Sequence, residues 1–357
     1  MAKIAIITDT HMGVRNDNKN FVEYSKRFFD NLFFPYIDQN EIKHVIHLGD
    51  LVDRRKYIQY MTAATALDEA FMQPIFDRGL EFHIICGNHD TQFKHTNEFN
   101  AIRTLYGKSK YDINIYENPV TIEIDGFKIC LIPWICQSNQ KLFEEEIKST
   151  KAQYLMGHLE LNGFEMDKGH LSDHGLDKSL FSKFDSVYSG HFHHKSVVGN
   201  ISYLGSPFQF TWADYDDEKG FHVLDTATRQ LTFIRNPYEI FKKYFYNDTS
   251  RDESEMLAFD PKIYEGTYVK VVVKNKTRND IFEKVISKIE KAGAFDVQII
   301  EDHLNLDGIS DVDLVDEAQD TMSILIKSVS QIETTIEKKK IEKFIRSLYE
   351  EALTIDG

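Results

Sequence analysis

Five short motifs carry side chains that could do chemistry together. In chain order they are Asp9-Thr10-His11, Gly49-Asp50-Leu51-Val52-Asp53, Gly87-Asn88-His89-Asp90, Gly157-His158 and Gly190-His191-Phe192-His193. Carboxylate and amide oxygens mixed with imidazole nitrogens suit Mn²⁺, Fe or Zn²⁺ better than Ca²⁺, and the lack of Cys among them disfavours a structural zinc site. Asp50 stands centrally in the set and has two oxygens, so it can bridge two ions. Two ions roughly 3.5–4 Å apart can activate a water, neutralise a phosphate and stabilise a leaving oxygen. His89 is the natural extra group, close to such ions yet available for acid catalysis or transition-state stabilisation. The chemistry implied is that of a binuclear phosphoesterase centre.

Each motif follows a strand signal. "KIAIIT" (3–8), "KHVIHL" (43–48) and "FHIIC" (82–86) are nearly continuous apolar runs, as expected of strands covered on both faces. "AQYLM" (152–156) and "DSVYS" (185–189) read as two more. Between the first three lie segments 21–38 and 59–77, with aromatic and aliphatic residues at helical spacing; Phe21, Phe28, Phe29, Leu32 and Phe33 read as core. This βαβαβ order predicts an α/β domain with parallel strands and helical layers, and open α/β sheets place ligand sites at the carboxyl ends of their strands. Four of the five loops carry a Gly beside the polar residue, which permits tight turns and close backbone approach. Hairpins are predicted at 120–132, around Asp125-Gly126, and at 220–234. Two sheets with helices outside, ending near residue 235, satisfy these signals.

Beyond that point the stretch 236–266 reads as a connector. Strand, helix and strand signals at 268–274, 279–293 and 295–300 predict a small second α/β domain. Residues 301–320 hold eight carboxylates and no Lys or Arg, as in a solvated linker. Leu325, Val329, Ile332 and Ile336, then Ile341, Phe344, Ile345, Leu348, Tyr349 and Ala352, form two helical stripes.

Composition bounds the rest. The 357 residues suffice for two or three domains, and a hydrophobic fraction of 42% is ordinary for a globular protein. A net charge of −15, from 42 Lys+Arg against 57 Asp+Glu, argues against a protein that coats nucleic acid. It leaves room for an enzyme that binds cations and touches DNA through local basic patches. The three cysteines lack zinc-site spacing and read as reduced thiols of an intracellular protein. No apolar run approaches the roughly 20 residues of a membrane span, and the N-terminal run lacks the regions of a signal peptide. A cytoplasmic protein with no membrane contact is expected.

The pattern "DTH…GD…GNHD…GH…GHFH" resembles the five-motif signature of the calcineurin-like metallophosphoesterase superfamily. Within it, "GDLVDRRK" (49–56), "LIPWI" (131–135), "GHLELNGF" (157–164) and "YLGSPFQFTWADYDDEKGF" (203–221) bring the chain closest to the SbcD-type nuclease subunits of double-strand-break repair complexes, bacterial and T-even phage. The resemblance implies a metallophosphoesterase β-sandwich flanked by helices (1–235) and a small DNA-binding α/β capping domain (236–300). The acidic linker (301–320) would then lead to C-terminal helices (321–357) that dock on the partner. It further implies two Mn²⁺ ions, with Mg²⁺ or another divalent metal as substitute. Asp9, His11, Asp50 and His193 would hold one ion, and Asp50, Asn88, His158 and His191 the other. His89 would be the catalytic histidine. The implied activities are 3′-to-5′ exonuclease on duplex DNA and endonuclease on single strands. The implied partners are DNA and an SbcC-like ATPase of the SMC family, with a nuclease homodimer inside a heterotetramer. The place of action would be the cytoplasm, that of the host if the protein comes from a phage. Many family members have a His where this chain has Asp53, so that residue is left out of the site.

Other readings compete. "GDLVDRR" superficially resembles a phosphatase motif, so a protein or nucleotide phosphatase is one rival and a catalytically inactive scaffold another. His44, His47, His83, His95, His222 and His303 read as surface or core. His194, beside a motif, is open, and His170 and His174 sit in a loop that could reach substrate. Arg54-Arg55-Lys56 reads either as a set of DNA-phosphate contacts or as a solvated basic turn. Trp134 reads as core.

Overall fold

The computed structural model describes residues 2–167, 170–172, 175–301 and 341. The expectations for residues 302–340 and 342–357, and for His174 and His303, lie outside the described residues. Apart from 211–213 and 341, the described residues form one compact unit.

The predicted sandwich is present. The first sheet has the strand order Gln230–Arg235, Gly220–Asp225, Lys3–Ile7, His44–His47, Glu81–Ile85, Asn114–Tyr116. Its last four strands run parallel, as the βαβαβ order requires. The second sheet has the order Ser196–Val198, Ile201–Tyr203, Ser186–Gly190, Tyr154–His158, Phe127–Ile132, Val120–Ile124. Both predicted hairpins pair as read, with Ile124 opposite Phe127 across Asp125-Gly126.

Alternation decides which side chain meets which layer. Ile4, Ile6, Ile46 and Ile85 face Ile129, Leu131, Met156 and Tyr188 and fill the space between the sheets. The outer face of the first sheet is covered by the segment 19–39 and by Thr62–Met72. Phe28, Phe29, Phe33, Phe71, Phe208 and Phe221 interlock there, most of them edge to face. Aromatic pairs prefer that geometry because ring edges are positive and faces negative. Both helical segments widen into π turns just before Pro35 and Pro74. Each proline lacks the N–H that an α-helix would use at that position.

One sequence reading needs correction. The stretch 236–266 is no plain connector: it contains the strand Phe241–Asn247, a short helix Glu253–Met256 capped reciprocally by Asp252, and a turn Pro261–Tyr264. Phe241–Asn247 pairs in parallel with Tyr268–Asn275, which pairs in parallel with Asp296–Glu301. Helix Asn279–Lys291 covers one face, where Val269, Val271, Val273 and Tyr246 bury Ile281, Phe282, Val285 and Ile289. The strand escaped notice because Lys242 and Lys243 interrupt its apolar pattern. Among the described residues, no helix is long and apolar enough to cross a membrane.

Candidate metal centre

All five strand-end loops meet at one edge of the sandwich. The backbone links them before any ion is considered. Asp9 N–H donates to the Gly49 carbonyl at 3.0 Å, and His11 N–H donates to the Asp50 carbonyl at 3.0 Å. His191 N–H donates to both Asp9 carboxylate oxygens, each at 3.1 Å, and so joins the two sheets. Gly87 has to be glycine: a Cβ there would stand 2.1 Å from Asp50 Oδ1. Close backbone approach is therefore the reason for that Gly, as the sequence suggested.

The expected ligand atoms converge in three overlapping groups: Asp9, His11 and His193; His11, Asp50 and His89; and Asp50, His158 and His191. Asp50 Oδ2 lies 3.5 Å from His11 Nε2 and 3.4 Å from His158 Nε2, between two of the groups. His11 Nε2 and His193 Nε2 face each other at 3.0 Å. Asn88 Oδ1 stands 3.0 Å from His158 Nε2 and 2.9 Å from His191 Nδ1. Asp9, His11, Asp50 and His158 are buried, whereas Asn88, His89, His191 and His193 are half-buried and form the open mouth.

Hydrogen bonds fix how the imidazoles are presented. His158 Nδ1 lies 2.8 Å from the Leu48 carbonyl, which can only accept, so Nδ1 carries a proton and Nε2 is the atom left to meet an ion. His89 Nδ1 donates to the Asp53 carbonyl at 2.5 Å, which leaves its Nε2 for other work. Nitrogen and oxygen donors held in this way, with a mouth for an incoming ligand, fit a divalent metal.

The electrostatics agree. Burial would raise the Asp50 carboxyl, but His158 and His11 outweigh it and hold it well below the usual carboxylate range. Burial likewise opposes charge on His11 and His158, yet Asp53 and Asp50 carry His11 up to about 9, and Asp50 and Asp9 carry His158 up to about 9. Burial pushes Asp9 up to about 6 and His191 down to about 3. Burial and the neighbouring His11 charge lower His89. Several charges crowd together here in competition for protons, a pattern common at functional sites.

The structure thus gathers all eight sequence-predicted residues, with donor atoms of His89, His11 and Asp50 within 4.8 Å of one another. It also adds residues the sequence reading left out. Asp53 touches both sides: its carboxylate lies 3.5 Å from His11 Nδ1 and its carbonyl holds His89. Asp90, the last residue of the third motif, points away from the site as a clamp. It accepts from the backbone N–H of Asp50 and Gly87 at 2.8 Å each, from Leu51 at 2.8 Å and from Val52 at 3.2 Å. His47 is core as read, but it also receives Gly49 N–H on Nδ1 at 3.2 Å and meets Thr10 Oγ1 at 3.1 Å, between two ligand loops. Trp134 is half-buried, with its ring 5.2 Å from that of His191. His194 turns to Asp217 at 3.0 Å. Arg54 is committed to the fold, by an ion pair to buried Asp17 and a 2.7 Å bond to Asn16.

Comparison with known proteins gives this centre a family. The profile of the calcineurin-like phosphoesterase family matches residues 2–195, the span that supplies every ligand loop. The chain belongs to that family. It is 31% identical over 362 residues to exonuclease subunit 1 of Enterobacteria phage T4, with 98% of this chain and 99% of that protein aligned. It is 24% identical over 269 residues to the SbcD component of the SbcCD nuclease of Staphylococcus epidermidis, covering 65% of this chain and 69% of that one. The corresponding protein of Staphylococcus saprophyticus is 20% identical over 383 residues and aligns with 98% of this chain. A calcineurin-like phosphoesterase with these ligand groups binds divalent metal.

Proposed function

We propose that this protein is the nuclease subunit of a DNA end-processing complex, a phosphodiesterase that holds two Mn²⁺ ions. The observation that carries the reading is the undivided ligand set. Asp9, His11, Asp50 and His193 would hold one ion and Asp50, Asn88, His158 and His191 the other; the overlapping donor groups, and Asp50 Oδ2 within 3.5 Å of both His11 and His158, support that division. Near end-to-end similarity to a phage exonuclease subunit supports DNA as the substrate. The relatives are named as subunits, which supports a companion chain: an SbcC-like SMC-family ATPase is the proposed partner, within a heterotetramer built on a nuclease homodimer, in the cytoplasm of a host cell.

Bound ions would supply charge neutralisation at the phosphate and activation of water. The chain's own residues do the rest. The mouth lined by Asn88, His89, His191 and His193 admits the backbone phosphate while the buried carboxylates stay behind it. His89 is anchored through Nδ1, so Nε2 is the atom that can hold or release a proton. An arriving phosphodiester is negative and favours the imidazolium, which can then donate to the departing oxygen. Burial, and after it the His11 charge, lower His89 in the metal-free site.

A phosphatase is not favoured: the relatives named are nucleases, and Arg54, the first Arg of "GDLVDRR", is taken up by Asp17. An inactive scaffold is not favoured because the groups that could hold a metal ion are intact and the relatives named are nucleases.

The test compares wild type with His89→Ala on end-labelled duplex DNA in Mn²⁺, Mg²⁺ and EDTA. Loss of nucleotides from the 3′ end in Mn²⁺, absent in EDTA and reduced at least about a hundredfold in the variant, is the expected result. Intact DNA in every condition, alone and with an SbcC-like ATPase, would reject the reading. Equal cutting by both proteins would remove His89 from its role.

A further inference from the structure

The first ligand group is tied to the C-terminal sheet through one side chain. Gln209 is 2% exposed, and both ends of its amide are engaged. Oε1 accepts from two successive backbone N–H groups, Ile240 at 2.9 Å and Phe241 at 3.1 Å, where the chain enters the strand Phe241–Asn247. Nε2 donates to the Asp214 carbonyl at 3.0 Å. The Asp214 carboxylate accepts from Phe210 N–H at 2.8 Å, and the Phe210 carbonyl accepts from Arg15 Nε at 3.0 Å.

Phe210 is the other end of this tie. Its ring lies 5.4 Å from that of His11 and 5.3 Å from that of His193, edge to face against both. Neither imidazole can swing toward Phe210 unless that ring moves, and the Phe210 backbone is held by the Gln209 and Asp214 bonds. A second strut reaches the same group: Lys219 Nζ donates to the His193 carbonyl at 2.8 Å and pairs with Asp214 at 2.6 Å. The group of Asn88, His158 and His191 is braced differently, by the Trp134 ring. The Trp134 carbonyl accepts from Asn97 and Asn139 of the nuclease fold.

We propose that Gln209 is a positioning residue that makes the geometry of Asp9, His11 and His193 depend on the docking of the 241–301 sheet, while leaving the Asn88, His158 and His191 group alone. The inference rests on the ligand assignment proposed above. It adds that the two ion positions answer to different parts of the chain. A displacement of the C-terminal sheet would loosen one and spare the other.

The test needs no substrate. Mn²⁺ binding to the metal-free full chain is measured by calorimetry for wild type, Gln209→Met and Phe210→Leu, with thermal unfolding followed alongside. His193→Ala and Asn88→Ala identify which binding event belongs to which group. Gln209→Met is expected to weaken the event lost in His193→Ala by about tenfold and to leave the event lost in Asn88→Ala within about twofold. Phe210→Leu keeps the amide ties and removes the ring edge, and it should give the same selective loss. Gln209→Glu keeps the acceptor for Ile240 and Phe241 but sets an oxygen against the Asp214 carbonyl, so it should show the same selective loss. A lowered melting temperature with both affinities unchanged, or with both weakened alike, would overturn the inference and leave the ligand assignment standing. A wild type that binds no Mn²⁺ would overturn both.

Discussion

Asp9, His11, Asp50 and His191 all take left-handed backbone conformations, with φ of 50°, 41°, 54° and 91°. Few side chains tolerate that region, and Asp and His are among the better suited. Each such residue still costs about 1–3 kcal/mol, and the cost persists only where the surroundings over-determine the backbone. Here the surroundings are the Asp90 clamp and the inter-loop bonds, which act without metal. The metal-free site should therefore be built but full of protons. His11 and His158, each carried up to about 9, are stabilised as imidazolium by Asp50, Asp53 and Asp9. Their folded values lie above the ordinary histidine value. The stability they contribute is therefore fully present below pH 6.5 and lost as pH rises through about 9. An ion has to displace those protons. Mn²⁺ binding should release about two protons at pH 7, and its apparent affinity should rise between about pH 6.5 and about pH 9. Calorimetry in buffers of different ionisation enthalpy measures the release; binding with no proton release would contradict the assignment of His11 and His158 as ligands.

At the scale of elements, short strands end in loops that lock one another. Asp90 takes four backbone N–H groups from the second and third motifs, and Gly87 lets Asp50 lie against it. Gly87→Ala forces its new methyl into Asp50. The expected result is a loss of about 1–3 kcal/mol in urea unfolding with EDTA present, and Mn²⁺ binding weakened at least about tenfold. A variant with native affinity would show that the loops yield more readily than these contacts suggest. Much of this was legible in the sequence. The apolar runs at 3–8, 43–48 and 82–86 became strands covered on both faces, and every loop after them delivered its polar residues to one place. What was not legible has physical causes. Asn114–Tyr116, Ser196–Val198 and Ile201–Tyr203 have three residues each, too few for alternation to register. Asp53 holds His89 through its carbonyl, an atom every residue carries, so that role left no mark in the sequence. The role of Asp90 rests on backbone N–H groups from two loops, which no residue type announces.

The whole molecule sets the terms on which DNA can approach. A net charge of −15 repels a polyanion at long range, and salt screens that repulsion beyond about 10 Å. Of the basic cluster after the second motif, Arg54 is spent on Asp17, while Arg55 is half-buried and Lys56 exposed. Each phosphate neutralised adds about 0.9 to the salt dependence of binding, so a handful of contacts gives a shallow slope. The isolated chain should bind duplex DNA weakly in EDTA, with affinity falling by no more than about a hundredfold between roughly 50 and 200 mM salt. Adding the proposed ATPase partner should tighten binding, and a steeper slope would show that the partner contributes phosphate contacts of its own. Fluorescence anisotropy across a salt series, with and without the partner, separates the two contributions. Tight binding by the chain alone, with a slope steeper than about −6, would mean that this chain carries a basic surface of its own which its acidic balance conceals.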